Sequence, residues 1–356
     1  MPGGSPMNMI DFARESMGLP ESSSFELTPL AVRGSDRTFF RLTWDNNGSA
    51  ILIHYDPKRL ENAYYADISI FLQSIDVSVP KLIRHDRGDC LILMEDMGNK
   101  DLWSFRDAPW AVRSVLYQKT LIVLHRLHGV SEKNFPSRRV RLMEGFGPDL
   151  YRWERDYFRE HFITGICGIK LEKPLERELE AELCALATRL DRTKRSLVHR
   201  DLQSQNIMVR DEEPFLIDFQ GMRFGSPFYD LGSLLCDPYV VFSDDEIEEL
   251  LSFYYKLSEQ SLDWPAFQIC FWEAAAQRLM QALGAFGFLG LTKGLTAFLA
   301  HIPPGLNNLI RAASHTVSLP FLSGLSRSCL KKIEENNLLP HADNKTNNTI
   351  LLKKLE

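Results

Sequence analysis

Leu197-Val198-His199-Arg200-Asp201-Leu202-Gln203-Ser204-Gln205-Asn206, followed after a short interval by Leu216-Ile217-Asp218-Phe219-Gln220-Gly221, decides the reading of this chain. Between the two stretches run Ile207-Met208-Val209-Arg210, the polar turn Asp211-Glu212-Glu213-Pro214 and the apolar Phe215-Leu216-Ile217. Short apolar runs around an acidic turn predict a β-hairpin, which brings Asn206 and Asp218 back to the same end. Moving a phosphoryl group asks a protein mainly for positioning and charge stabilisation: one carboxylate to orient the attacking hydroxyl, and oxygen ligands for magnesium. Asp201 fits the first role, and Asn206 and Asp218 fit the second. The bland alternative, in which Asp201 and Asn206 only cap turns and Asp218 ends a strand, accounts for each residue singly but not for the combined spacing.

His199-Arg200-Asp201, four residues and then Asn206 is the interval of the kinase catalytic loop, so His199 and Gln203 join Asp201 as candidate catalytic residues. The rest of the chain accommodates that reading. Its 356 residues, 44% hydrophobic, suffice for one large core or two moderate ones. A formal net charge of -6 and a pI near 5.9 argue against a nucleic-acid partner. The six cysteines show no Cys-x-x-Cys pair and read as reduced. Met1-Pro2-Gly3-Gly4-Ser5-Pro6 lacks the features of a signal peptide, and the apolar run from Ala282 to Leu291 is too short to span a bilayer. The expectation is a cytoplasmic protein without a membrane partner.

The pattern along the chain predicts an α+β fold with two lobes. Residues 1–24 read as an N-terminal tail with a short helix around Ile10 to Met17. Residues 25–98 read as a nucleotide-binding lobe: strands at Phe25 to Val32, Phe39 to Trp44, Ala50 to Tyr55, Val79 to Ile83 and Cys90 to Glu95, with a helix from Arg59 to Ser74. Residues 99–333 read as a mainly helical lobe, with helices from Ala111, Asp149, Leu175, Asp244 and Trp264; Val112, Val115, Leu116, Ile122, Val123 and Leu127 form the expected buried stripe of the first. Residues 334–356, rich in Asn, Lys and Asp, read as a flexible tail.

Gly34-Ser35-Asp36-Arg37-Thr38-Phe39-Phe40-Arg41 falls between two predicted strands, where kinases cover the nucleotide phosphates, and makes Gly34, Ser35 and Arg37 candidate ATP contacts. The strand Ala50-Ile51-Leu52-Ile53-His54 lacks the lysine that protein kinases carry there. His54, mostly neutral at pH 7, does not replace it. Arg37 or Arg41 is the expected substitute, with Glu61 as the acidic partner on the following helix.

The catalytic loop with Gln203 and Gln205, the Asp218-Phe219-Gln220-Gly221 variant and Tyr229-Asp230-Leu231-Gly232-Ser233-Leu234-Leu235 together resemble the aminoglycoside phosphotransferase and choline kinase family. Asp218 is followed within twelve residues by Asp230, which leaves no room for a protein-kinase activation segment, so no protein substrate is expected. Gly34-Ser35-Asp36-Arg37, Leu91-Ile92-Leu93-Met94-Glu95-Asp96-Met97-Gly98 and Gln277-Arg278 with Ala282-Leu283-Gly284-Ala285-Phe286 resemble the branch of anomeric sugar kinases of bacterial cell-wall recycling. Those enzymes phosphorylate N-acetylmuramate and N-acetylglucosamine at the C1 hydroxyl. The resemblance implies a protein-kinase-like fold, ATP and Mg2+ as cofactors, Asp201 as catalytic base, Asn206 and Asp218 as magnesium ligands, and the backbone of Glu95 and Met97 as adenine contacts. It also implies an acceptor pocket for an amino sugar near Trp153, Glu154, Arg223 and Arg278, with Asp230 as the alternative partner of Arg223. Rival readings are an aminoglycoside, choline-type or other metabolite kinase, and a nucleotide-binding pseudokinase.

Overall fold

The computed structural model describes residues 9–30, 37–45, 48–259, 261–336 and 338–339. Helix α1 (Met9–Met17) precedes three strands, β1 (Phe25–Pro29), β2 (Thr38–Trp44) and β3 (Gly48–His54). Helix α2 (Leu60–Ser74) and strands β4 (Leu82–Asp86) and β5 (Leu91–Glu95) complete a five-stranded antiparallel sheet of order β1-β2-β3-β5-β4. The continuous apolar run Ala50-Ile51-Leu52-Ile53 of β3, buried on both faces, explains why it lies at the centre. Ala50 and Leu52 join Phe12 and Ala13 of α1 in one small core, whereas Ile51 and Ile53 face α2 residues Ile68 and Leu72 in the main core. Strand β4 starts at Leu82, later than the expected Val79; Pro80 offers no N–H to a ladder.

The remainder is mainly helical: α3 (Trp110–His128), α4 (Pro148–Phe158), α5 (Lys173–Asp191), then short strands β6 (Ser196–Val198), β7 (Ile207–Arg210), β8 (Glu213–Leu216) and β9 (Arg223–Gly225), and α6 (Pro227–Leu235), α7 (Asp244–Leu257), α8 (Trp264–Gly287), α9 (Ile302–Ser314) and α10 (Pro320–Asn336). Helix α4 continues as a π-helical turn over Arg159–Thr164. The buried face of α3 is centred on Leu116, Leu124 and Leu127; Val112, Val115 and Ile122, expected in the core, lie on its exposed flank. Helix α8 is buried along most of its length and organises the helices around it. Helix α6 crosses it closely because Gly232 has no side chain: a Cβ there would stand 2.6 Å from the Cα of Ala275. That crossing sets Ser233 of α6 against Arg278 of α8.

The expected hairpin is present. Strands β7 and β8 pair from Ile207↔Leu216 to Arg210↔Glu213, and Asp211 and Glu212 turn the chain in the left-handed region at φ 53 and 60. The terminal stretch expected to fray is helical as far as Asn336; residue 337 and residues 340–356 lie outside the described residues.

Candidate active site

The loop after β6 is held by one carboxylate. Asp230, in the first turn of α6, accepts hydrogen bonds from the backbone N–H groups of His199 (2.6 Å) and Arg200 (2.8 Å), and its Oδ2 also lies 3.2 Å from His128 Nε2. Two neighbouring N–H groups converging on one acid require a sharp turn, and Arg200 adopts φ 77 to make it. His199 is fully buried: its Nε2 donates to the carbonyl of Ile217 at 2.9 Å and its Nδ1 accepts from the N–H of Asp201 at 3.3 Å. Both ring nitrogens are thus committed, and His199, expected among the catalytic groups, ties the loop to the strand that leads into Asp218.

Asp201 leaves this turn with its side chain half-exposed. Its Oδ1 accepts from Arg278 Nη2 at 2.8 Å. Arg278 is itself buried and donates to Ser233 Oγ (3.1 Å) and Gln281 Oε1. The Asp201 carbonyl accepts from Asn206 Nδ2 (2.8 Å) and from the N–H of Gln203 (2.9 Å). Turning the Asn206 amide nitrogen inward leaves its carbonyl oxygen available to a cation. Ser204, between them, is anchored through its N–H and Oγ to the buried Asp237.

Ile217 N–H donates to the Asn206 carbonyl at 3.0 Å, so the hairpin brings Asp218 beside Asn206 as expected. Asp218 sits in the left-handed region at φ 62. Its Oδ1 accepts from Arg37 Nη2 and from Gln220 Nε2 (3.0 Å), while Arg37 Nη1 donates to Gln220 Oε1 at 2.9 Å. Burial pushes the Asp218 carboxyl up, but Arg37 and the Gln220 amide outweigh it and hold the acid below its ordinary value. Phe219 stacks on Tyr65 of α2 with ring centroids 4.6 Å apart, coupling that helix to the loop. A carboxamide oxygen and a carboxylate are hard donors of the kind magnesium takes when phosphates and water complete its shell.

On the nucleotide side, Gly34 and Ser35 lie outside the described residues. Arg41 is spent at the segment after β5, on Asp96, Asn99 Oδ1 (2.6 Å) and the Gly98 carbonyl (3.0 Å). Arg37, not Arg41, therefore reaches Asp218. Glu61 lies 3.7 Å from Arg59 and faces no cation of β3; its charge is felt instead by Arg223. Of Glu95, whose backbone is an expected adenine contact, the N–H donates to the Lys81 carbonyl within the sheet at 2.9 Å and the side chain pairs with Arg210 at 2.7 Å. Met97 is buried just beyond it.

The expected acceptor residues divide. Glu154 does not line an open surface: it is fully buried, with Oε1 accepting from Tyr229 Oη and Oε2 from Gln277 Nε2, both at 2.8 Å. Burial pushes its pKa up. Trp153 is 48% exposed and stacks on Tyr157 at 4.9 Å. Arg278 is committed to Asp201. Arg223 donates to the Gly221 carbonyl rather than to Asp230. Asp230 stood in a motif already singled out, but its role as clamp, and that of Asp237, carry no local signal because the catalytic-loop groups they hold are about thirty residues away in sequence.

A sequence model described as "Phosphotransferase enzyme family" matches residues 26–268. The chain belongs to the phosphotransferase enzyme family. It is accordingly an ATP-dependent small-molecule kinase. Within the phosphotransferase enzyme family it is similar to an N-acetylmuramate/N-acetylglucosamine kinase of Neisseria meningitidis, with 26% identity over 85% of this chain and 90% of the relative. A kinase of the same name from Pseudomonas aeruginosa is 22% identical over 89% of this chain and 92% of the relative. Among solved structures, a choline/ethanolamine kinase family protein from Mesorhizobium loti superposes with a TM-score of 0.57 at 18% identity, covering 90% of this chain and 100% of that one. An aminoglycoside phosphotransferase in ternary complex with streptomycin and ATP gives 0.58 at 14% identity, covering 89% and 99%. These likenesses show the expected α+β architecture, an antiparallel sheet followed by a helical part. Among the described residues no helix is long and apolar enough to cross a membrane.

Proposed function

We propose that the protein transfers the γ-phosphate of ATP to the C1 hydroxyl of an amino sugar, N-acetylmuramate or N-acetylglucosamine. The observation that carries the transfer is Asp201: a half-exposed carboxylate with Oδ1 held by Arg278, its backbone carbonyl bonded to the side chain of Asn206, whose own carbonyl accepts from the residue before Asp218. The remaining oxygen of Asp201 accepts a hydrogen bond from the acceptor hydroxyl and takes its proton late in the transfer. Asn206 and Asp218 would hold magnesium, whose charge would offset that of the phosphates. Gln203 is kept with Asp201 as a catalytic candidate, and the half-exposed Trp153 is assigned to the acceptor, its ring supplying an apolar face for the sugar. Arg37 takes the place of the missing strand lysine, and residues 25–98 and 99–333 act as the two lobes around the nucleotide.

The amino-sugar part rests on the kinases of Neisseria meningitidis and Pseudomonas aeruginosa that the chain resembles. Electrostatics supports it against a cationic antibiotic, which needs an acid-lined pocket. The acids of α4 are otherwise engaged: Asp149 pairs with Arg152, Glu154 is buried, and Asp156 pairs with Arg159.

ADP release from MgATP over a panel of N-acetylmuramate, N-acetylglucosamine, glucose, choline and kanamycin tests the reading. Turnover is expected with the amino sugars and should fall by about two to four orders of magnitude in Asp201→Asn, the range for a positioned base. Turnover with choline or kanamycin alone would refute the sugar assignment.

A further inference from the structure

Arginines stand on both sides of Gly221. Arg200 Nη1 lies 3.8 Å from the position a Cβ would take on this glycine, which sets that guanidinium against one side of the glycine. Arg223 donates Nε–H to the Gly221 carbonyl at 3.1 Å and rests over the Phe146 ring, 5.7 Å from its centroid. Arg223 is only 6% exposed. No ion pair joins either guanidinium to a carboxylate among the described residues. The nearby acids have other partners: Asp230 the backbone of His199 and Arg200, Asp201 Arg278, Glu154 Tyr229 and Gln277, and Glu61, whose charge reaches Arg223, Arg59 at 3.7 Å.

Burial, and then repulsion from Arg200, loosens the hold of Arg223 on its proton, down to about 10. A buried cation beside a second cation, with no counter-ion in contact, is costly. An anion received between two guanidinium forks removes that cost through charge-assisted hydrogen bonds. The chain places this pair at the working end of the molecule: Arg200 immediately precedes Asp201, and Arg223 follows Asp218 by five residues.

We infer that Arg200 and Arg223 form an anion site beside the catalytic loop that takes a carboxylate or a phosphoryl group. Its source is either a carboxylate on the acceptor or the phosphoryl group being transferred; this assignment of source rests on the kinase reading above, whereas the site itself does not.

Equilibrium binding of inorganic phosphate, with the nucleotide cleft filled by MgADP, tests the site without turnover. The wild type should bind, and Arg200→Gln and Arg223→Gln should each weaken binding about 10- to 100-fold, the worth of a hydrogen bond to a charged group. Arg223→Lys, which keeps the charge and loses the fork, should bind more weakly than the wild type and more tightly than Arg223→Gln, and the half-buried Arg200 provides a variant that does not disturb the core. Absence of phosphate binding in the wild type, or undiminished binding in both glutamine variants, overturns the site.

Steady-state kinetics then identifies the source. A fall of about tenfold or more in the ratio of kcat/KM for N-acetylmuramate to that for N-acetylglucosamine assigns the acceptor carboxylate. An equal fall in kcat on both sugars assigns the transferred phosphoryl group. Lost phosphate binding with neither sugar affected refutes a part in the reaction. If the wild type turns over neither sugar yet binds phosphate through these arginines, the sugar assignment fails and the anion site stands.

Discussion

Arg278 Nη2 stands 2.8 Å from Asp201 Oδ1, so the candidate catalytic base is one half of a buried-to-half-exposed ion pair whose cation is fixed by Ser233 and Gln281. The family resemblance implies a place for Arg278 in the acceptor pocket. Its Nε, Nη1 and Nη2 each donate within the protein, so three of its five N–H groups are engaged and the guanidinium stands where it orients Asp201. Arg278→Met should lower kcat about 100-fold, the cost of a misplaced reacting group, with the acceptor KM little changed. The loss should be equal on both sugars. Arg278→Met added to Asp201→Asn should cost little more than Asp201→Asn alone, since the two act as a unit. Additive losses in that double-mutant cycle would show that Arg278 works elsewhere.

Arg37 and Asp218 join the segment before β2 to the end of the β7–β8 hairpin, which are 181 residues apart in sequence. The pair predicts an acid-dependent stability. Asp218 is held below its ordinary value of 3.8, so its contribution is fully present above that pH and is lost as the pH falls through the lowered value. Arg37→Gln removes the cation and should lower Tm near pH 7, with the difference from wild type shrinking as the pH drops below about 4. The same variant should raise the KM for ATP about tenfold if Arg37 substitutes for the strand lysine. A Tm difference that stays constant from neutral to acid pH would disconnect Arg37 from Asp218.

How far these features could be read from the chain depended on their range. The hairpin between Asn206 and Asp218 was legible because its apolar runs and turn lie within about a dozen consecutive residues, and β3 was legible as an apolar run after a turn signal. Helices α9 and α10 went unread: α9 opens on Ile302-Pro303-Pro304, where the prolines look like breakers but occupy the first turn, in which missing N–H groups cost nothing. The error on α3 was one of phase, since Val112, Val115 and Ile122 flank the stripe that meets the core. The site divided along the same line. Asp201, Asn206 and Asp218 carry a local spacing, whereas the partners that orient them, Arg278, Asp230 and Arg37, arrive from distant elements. Glu154 shows the limit most plainly, because an acid among acids on α4 gives no hint that it alone points inward.

That inward-facing carboxylate yields a prediction of opposite sign to Asp218. Burial raises the pKa of Glu154 above the usual 4.5, so its protonated form suits the folded state. The stabilisation is fully present below 4.5 and is lost as the pH rises through the elevated value. Glu154→Gln removes the charge and keeps the shape. Its carbonyl can still accept from Tyr229, and its amide can donate to the Gln277 carbonyl oxygen, which is buried without a partner in the wild type, once that amide turns over. Glu154→Gln should therefore hold or raise Tm at pH 8 and flatten the decline from pH 4 upward. Glu154→Ala should cost about 1–3 kcal/mol for each buried donor left unpaired, Tyr229 Oη and Gln277 Nε2. Thermal unfolding of the three proteins across that pH range provides the check. A glutamine variant as unstable at pH 8 as the alanine one would mean that the charge of Glu154, set among Arg200 and Arg278, outweighs the cost of its burial.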